Sequence, residues 1–70
     1  MENTFEITEN IFLQITEFQG QKRIDIRKWF KDKENEWQRT RKGINLSVDE
    51  WTEFLENFEA MVDFIEDKIQ

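Results

Sequence analysis

The sequence has 70 residues, a net charge of −6, ten aromatic side chains, and neither cysteine nor histidine. A chain of this length forms one small domain, residues 1–70, which buries roughly 60% of its unfolded surface. The absent residue types exclude disulfide bonds, zinc sites built from cysteine or histidine, and catalytic thiols or imidazoles. Because the core is small, we expect assembly with a second copy to supplement its stability.

The first part of the chain shows the alternation of polar and apolar residues that is typical of strands. Residues 4–7 alternate over a short stretch and predict a short strand or an extended arm. Residues 11–18 alternate clearly and predict a strand whose aliphatic side faces inward. Gln19 and Gly20 then predict a two-residue hairpin turn, in which the glycine adopts a positive φ.

The alternation continues beyond this turn. Residues 21–30 predict a second long strand, with isoleucines inward and basic and aromatic residues outward. A polar turn over 32–35 precedes a further strand at 36–42, and Gly43 predicts a bend or bulge before a short last strand at 44–46. Strands at such short spacing without an intervening helix predict a four-stranded antiparallel meander, and the chain is therefore placed in the α+β class.

A single amphipathic helix is predicted over residues 48–69. Ser47 and Glu50 have the spacing of a capping box at its start. At about 33 Å, this helix would be longer than a four-stranded sheet is wide, about 19 Å, so its apolar stripe exceeds what one sheet can cover. The stripe therefore predicts a dimer interface. Its residues are Trp51, Phe54, Leu55, Phe58, Met61, Val62 and Ile65.

A membrane surface or another protein is the alternative use for this stripe. The polar side of the predicted helix is acidic, whereas helices that lie on anionic lipid carry lysine and arginine there. The chain also has no apolar run of ~20 residues and no signal peptide pattern, so no membrane association is expected.

Residues 22–43 are the only basic part of the chain. They hold nine of the ten Lys and Arg residues against four acids, a net charge of +5, and both flanks are acidic. Trp29, Phe30 and Trp37 lie among these cations. Cations neutralise phosphates and aromatic rings stack on unpaired bases, so this combination favours single-stranded nucleic acid as a partner. The other interpretation is ordinary alternating charge on exposed strand faces.

Catalytic chemistry has no support in the sequence. Ser47, the only serine, is explained as a helix cap, and no glycine-rich phosphate loop is present. Asp32, Glu34 and Glu36 alternate as in a calcium loop, but the required glycine and the final glutamate are missing, and we interpret them as a solvated turn. We therefore expect no enzyme activity, no cofactor and no metal.

The order of several short motifs resembles a known family. These are Phe18-x-Gly20, Ile24-Asp25-Ile26-Arg27, Arg41-Lys42-Gly43-Ile44-x-Leu46, and Trp51 in the first turn of the helix. Together they resemble the single-stranded-DNA-binding domain of the transcriptional coactivator positive cofactor four, from Phe5 over almost the whole chain.

The resemblance implies a homodimer in which each subunit has a curved four-stranded antiparallel sheet and one helix. The helices would pair across the dimer, and the two sheets would form opposed grooves for single-stranded or melted DNA with little sequence preference. By position, Phe18 and Phe30 would stack on bases, and Arg27, Arg41 and Lys42 would contact phosphates. The strand alternation instead puts Trp29 beside Arg27, and both aromatic residues remain candidates.

The sequence departs from the family at positions that are basic in other members. Glu9, Gln19 and Gln21 occupy these positions. Our hypothesis is that Lys22, Arg23 and Arg39 replace the lost positive charge. The full candidate set for nucleic acid is Phe18, Lys22, Arg23, Arg27, Trp29, Phe30, Arg39, Arg41 and Lys42.

The resemblance favours a coactivator or regulator of transcription, or a role in replication or repair, with the transcription machinery as a further partner. The alternative is a protein-interaction module of the same fold that has lost its nucleic acid groove. An oligonucleotide-binding barrel is disfavoured by the terminal helix. The long N-terminal arm of eukaryotic members is missing, so a bacterial or phage origin and a cytoplasmic location are expected; a eukaryotic protein would be nuclear.

Overall fold

The structure, a computed structural model, describes residues 3–70. Four strands form one antiparallel sheet in chain order, and two helical segments follow it. The elements are β1 (Thr4–Thr8), β2 (Ile11–Phe18), β3 (Gln21–Lys31), β4 (Trp37–Ser47), α1 (Val48–Glu56) and α2 (Phe58–Ile69). The predicted α+β meander is confirmed. Among residues 3–70, no helix is long and apolar enough to cross a membrane.

The turn between β2 and β3 has the predicted two-residue form. Phe18 pairs with Gln21, and the two residues between them have positive φ, 51° at Gln19 and 77° at Gly20. Two consecutive positive φ values define the type I′ turn, whose twist matches that of the flanking strands. Glycine removes the strain at the second position, while Gln19 adopts the left-handed conformation at a steric cost.

The prediction of separate strands at 36–42 and 44–46 was wrong, because β4 runs through Gly43 as one strand. The fourth strand of the sheet is β1, which pairs with β2. Sequence alternation is lost near Gly43 because β4 contains a bulge there, and a bulge interrupts the period of two without ending the pairing.

The bulge lies opposite Lys28. Arg27 pairs with Gly43 and Trp29 pairs with Arg39, so Lys28 alone faces residues 40–42 of β4. The Thr40 hydroxyl closes the bulge by donating to the Lys28 carbonyl oxygen at 2.7 Å. Gly43 is required beside it, because a Cβ at this position would lie 2.5 Å from the Ile26 carbonyl oxygen.

The prediction of one uninterrupted helix was also wrong, since α1 and α2 are separated at Asn57. The backbone of Asn57 leaves helical geometry, with φ −101° and ψ 5°. Its side-chain Nδ2 donates to the Glu53 carbonyl oxygen at 2.9 Å, and its backbone N–H also donates to that oxygen, at 3.2 Å. A short amide side chain that bonds the preceding turn competes with regular helix hydrogen bonding. The apolar period continues past Asn57, so the pattern gave no sign of the break.

The capping box at the start of α1 is confirmed. The Ser47 hydroxyl accepts from the Glu50 backbone N–H at 3.1 Å, and the Glu50 carboxylate accepts from the Ser47 N–H at 2.9 Å. These two bonds satisfy two of the four unpaired amides of the helix terminus.

Few apolar side chains are buried within one chain. Ile24 is the only buried hydrophobic residue among residues 3–70, and Ile15 and Ile44, which share its side of the sheet, are exposed. Helix α1 packs against β3 and β4, whereas α2 contacts no strand within residues 3–70. The apolar stripe of α2 is therefore not covered by its own sheet.

The residues predicted for the dimer interface form a partly open stripe. Trp51 and Phe54 are half-buried, and their rings stack with centroids 5.4 Å apart. Met61 and Val62 are also half-buried. About half of the surface of each remaining member of the stripe is exposed; these members are Leu55, Phe58 and Ile65.

Candidate nucleic-acid interface

The arginines of β3 lie on one side of the sheet, as the alternation predicted. Arg23, Asp25 and Arg27 are spaced two residues apart on β3, so their side chains share one side of the sheet. Phe12 of β2 pairs with Arg27 and Asn45 of β4 pairs with Asp25, which places both on the same side. We call this side the arginine face. The isoleucines of β3 occupy the opposite side.

Asp25 is the centre of the arginine face. The residue is completely buried, with 0% of its surface exposed. Arg27 donates to both of its carboxylate oxygens at 3.0 Å, from Nε and from Nη2. Arg39 Nη2 and Asn45 Nδ2 each donate to Oδ2 at 3.1 Å. One carboxylate therefore binds two arginines from two strands.

The hydrogen bonds around Asp25 determine its charge state. Burial alone would raise the pKa of this carboxyl, but hydrogen bonds from Arg27 and Asn45 and the charges of Arg27 and Arg39 lower its pKa below the usual value. The hydrogen bond to Asp25 in turn raises the pKa of Arg27. The group is therefore a carboxylate paired with cations at neutral pH.

A third arginine joins this network and links it to the helix. The Arg23 Nε donates to the Asn45 side-chain oxygen, and Arg23 Nη2 lies 3.9 Å from a carboxylate oxygen of Glu50. Glu50 belongs to the capping box of α1, so a polar chain runs from Asp25 to the first turn of that helix.

The arginines differ in what they offer to a ligand. Only 14% of the Arg27 side chain is exposed, and its Nη1 donates to the Thr40 carbonyl oxygen at 3.1 Å. Arg39 makes a single bond to Asp25, and 54% of its side chain is exposed. Arg27 therefore mainly fixes the network, and Arg39 presents its charge to solvent.

Phe18 lies next to these cations. It is 62% exposed and lines a shallow cleft of the arginine face together with Arg23, Arg39 and Asn45. A phenyl ring this exposed adds little to the core, and its place in one cleft with two guanidinium groups suits a base that stacks while its phosphates are neutralised.

Three of the predicted cations lie apart from this cluster. Lys22 pairs with Glu17, which places it on the side opposite the arginine face. Arg41 and Lys42 are exposed in the bulge of β4. The bulge itself is fixed by the Lys42 backbone N–H, which donates to the Thr40 hydroxyl at 3.1 Å.

Trp29 and Phe30 occupy different surroundings. Trp29 lies opposite Arg39, and its ring centroid is 6.2 Å from that of Phe12. Phe30 is half-exposed and lines a separate shallow cleft with Glu9. The arginine face thus contains Trp29, the aromatic residue that the alternation placed beside Arg27.

Residues 5–57 match the family described as Transcriptional Coactivator p15 (PC4). The chain belongs to the PC4 family. This is a non-enzymatic family of DNA-binding coactivators. The predicted family membership is therefore confirmed, and so is the prediction that the protein is not an enzyme.

Two solved structures of MoSub1, a Sub1/PC4 homologue, are similar to this PC4-family chain. One is a MoSub1–DNA complex described as having a novel DNA binding mode, with 27% sequence identity and a TM-score of 0.75 over 96% of this chain and 85% of that chain. The other is a MoSub1–single-stranded DNA complex in phosphate buffer, with 27% identity and a TM-score of 0.77 over 96% of this chain and 80% of that chain.

Sequence reasoning missed the roles of Asp25, Phe12 and Asn45 in this PC4-family site. The strand alternation puts Asp25 on the outer side of β3 with the arginines, where a charge is expected to be exposed, whereas Asp25 is buried. One signal was available in the sequence: Asp25 has an arginine two residues away on each side. Side chains at this spacing share one side of a strand, so the acid and the arginines were expected to be neighbours. Nothing in the sequence indicated that Arg39 would reach the same carboxylate from β4.

Proposed function

We propose that this PC4-family protein binds single-stranded DNA as a homodimer with little sequence preference, as a coactivator or regulator of transcription or in replication or repair. The observation that carries the proposal is the exposed Phe18 ring beside Arg23 and Arg39 on the arginine face of an acidic protein. The likeness to MoSub1 complexes with DNA and single-stranded DNA supports it.

In the proposed complex, a base stacks on Phe18 and the adjoining phosphates lie against Arg23 and Arg39. Stacking of this kind contributes about 1 to 3 kcal/mol per base and is indifferent to sequence, because every base has a π-face. Arg41 and Lys42, exposed in the bulge of β4, extend the positive surface along the strand. Duplex DNA binds more weakly, since its bases are stacked on each other.

Asp25 prepares this surface for binding. Without a central carboxylate, the guanidinium groups of Arg27 and Arg39 would repel each other and adopt many rotamers. The hydrogen bonds to Asp25 fix both groups before DNA arrives. Preorganisation of this kind raises affinity by reducing the entropy lost on binding.

The homodimer is supported by the apolar surface that one chain leaves uncovered. Helix α2 contacts no strand within residues 3–70, and Phe58, Phe64 and Ile65 each expose half or more of their surface. An isolated helix of 12 residues is marginal in water, so its stability requires packing of its apolar side. A second copy of α2 supplies such packing.

The experiment is fluorescence anisotropy of a labelled ~20-nucleotide oligo-dT at several salt concentrations, with an equal-length duplex as competitor. With roughly three to five phosphates neutralised per strand, log K should fall against log salt with a slope of about −2 to −3.5. The duplex should compete poorly. Absence of binding at low salt would overturn the proposal and favour the protein-interaction module.

A further inference from the structure

A half-open cavity lies beside the arginine cluster, on the same side of the sheet. Its volume is about 300 Å³, the lower end of the range of small-ligand pockets. Aromatic rings from three strands form its walls, and polar residues of β1 and β2 complete it. The lining residues are Thr4, Glu6, Phe12, Gln14, Trp29 and Trp37.

The aromatic walls give the cavity a defined shape. The Phe12 ring stands nearly edge-on to Trp37, with centroids 5.1 Å apart and an interplanar angle of 84°. Lys31 places its Nζ over the Trp37 ring, 5.2 Å from the centroid. These rings are in contact with each other, so a flat aromatic ligand would lie against them in the open part of the cavity, and the ammonium group provides a cation for an attached phosphate.

The polar groups restrict the ligand further. The Trp29 Nε1 is buried, so a ligand in the cavity does not reach it. Glu6 is an exposed polar residue of the lining, and its carboxylate accepts hydrogen bonds. A matching ligand therefore presents N–H donors to Glu6. A phosphate has only acceptors and an alkyl group has no N–H donor, so the cavity does not suit them.

Continuity with the arginine face indicates where such a ligand comes from. Trp29 in the cavity wall pairs with Arg39, the exposed cation of the cluster. A strand whose phosphates lie against Arg39 therefore passes the mouth of the cavity. Unpaired bases can leave the stack and bind through their Watson–Crick edge in a protein pocket.

We propose that this cavity binds one nucleobase of the bound strand and prefers guanine. Guanine presents a carbonyl acceptor beside two N–H groups, and a carboxylate accepts two neighbouring N–H groups as a pair. Thymine offers a single N–H on the same edge. In this arrangement the Glu6 carboxylate accepts from both N–H groups of guanine. The inference rests on the proposed binding of single-stranded DNA.

The test compares two labelled 12-mers by anisotropy, oligo-dT and the same strand with one central guanine. Wild-type protein should bind the guanine strand roughly five- to tenfold more tightly, as expected for one paired hydrogen-bond contact to a base. Glu6→Gln should reduce this preference to less than about twofold. Glu34→Gln makes the same charge change in the β3–β4 turn and should retain the full preference.

The two proposals fail in different ways. Equal affinity of the wild type for both strands, or a full preference in Glu6→Gln, would overturn the guanine pocket and leave the proposed function intact. A wild type that binds neither strand would overturn both. Glu6 is exposed, so Glu6→Gln should leave the fold unchanged.

Discussion

The positions of the arginines on the proposed DNA-binding surface depend on one residue. Asp25 is buried and accepts hydrogen bonds from Arg27, Arg39 and Asn45, so a negative charge organises a positive surface. Buried charges are tolerated when they are paired and hydrogen-bonded, and this carboxylate is both. The arrangement therefore depends on Asp25, because removal of its carboxylate leaves the arginines without a common partner.

Asp25→Asn should destabilise the protein and weaken DNA binding together. The substitution keeps the shape of the side chain but loses the charge that pairs with two guanidinium groups. We expect a loss of about 1.5 to 3 kcal/mol in the free energy of unfolding, the usual range for hydrogen bonds to charged groups. Urea denaturation measures it. Asp63→Asn, on exposed α2, is the matched control and should change stability by less than about 0.5 kcal/mol.

The same carboxylate predicts a pH dependence. Its pKa is lower in the folded chain than in the unfolded chain, so its contribution to stability is full above about pH 4 and is lost as pH falls through the folded pKa. The difference in Tm between wild type and Asp25→Asn should therefore narrow as pH falls below about 4. A difference that stays constant from pH 7 to pH 2 would show that the charge of Asp25 does not stabilise the fold.

At the scale of elements, the bulge in β4 brings Arg39 and Asp25 together. Residues 40–42 face Lys28 alone, and Gly43 allows the backbone of β4 to approach Arg27 closely. A regular strand without this insertion would place different β4 residues opposite β3. The bulge thus controls which cations of β4 reach the arginine face.

Gly43→Ala should move β4 away from Arg27. The added Cβ would lie 2.5 Å from the Ile26 carbonyl oxygen and 2.8 Å from the Arg27 Cα, both backbone atoms. We expect a destabilisation of about 1 to 3 kcal/mol together with weaker oligo-dT binding. Denaturation and anisotropy measure the two effects. Gly20→Ala is the control, since no atom lies within 4 Å of its Cβ; it should lose about 1 to 2 kcal/mol to backbone strain and keep its DNA affinity.

The sequence predicted the elements better than their irregularities. Alternation predicted β2, β3 and the sides of their residues, and the positions of Ser47 and Glu50 predicted the start of α1, because these signals are local. Gly43 predicted a bend or bulge, but the continuation of β4 through it depends on how β4 pairs with β3. The break at Asn57 depends on a side chain that bonds its own helix, and it does not change the apolar period. The contacts around Asp25 depend on the register between strands, and the polar–apolar pattern of the sequence does not specify that register.

At the scale of the whole molecule, charge and apolar surface are segregated. The basic residues lie almost entirely in β3, β4 and the turn between them, whereas the helices are acidic. Under the proposed function, repulsion by the acidic parts limits DNA to the arginine face, since charges are largely screened beyond about 8 Å at physiological salt. The apolar stripe of α2 is not covered by its own sheet and forms the proposed dimer surface.

Ile65→Glu should separate the proposed dimer. The residue lies on the apolar stripe of α2 and half of its surface is exposed in one chain, so a carboxylate there is harmless in a monomer but buried in a dimer. Sedimentation equilibrium should give twice the 8.7 kDa chain mass for wild type and a lower mass for the variant. Glu66→Gln, on the acidic side, should remain dimeric. A monomeric wild type would contradict the proposed assembly.

The most direct measurement compares the oligo-dT affinity of two variants, Arg39→Gln and Lys33→Gln, by anisotropy at one low salt concentration. Both substitutions remove one positive charge, but Arg39 lies in the cluster around Asp25 and Lys33 lies in the β3–β4 turn. If DNA binds the arginine face, Arg39→Gln should lose roughly tenfold in affinity and Lys33→Gln less than about twofold, with both proteins folded by circular dichroism. Equal losses for the two variants would contradict binding at this face.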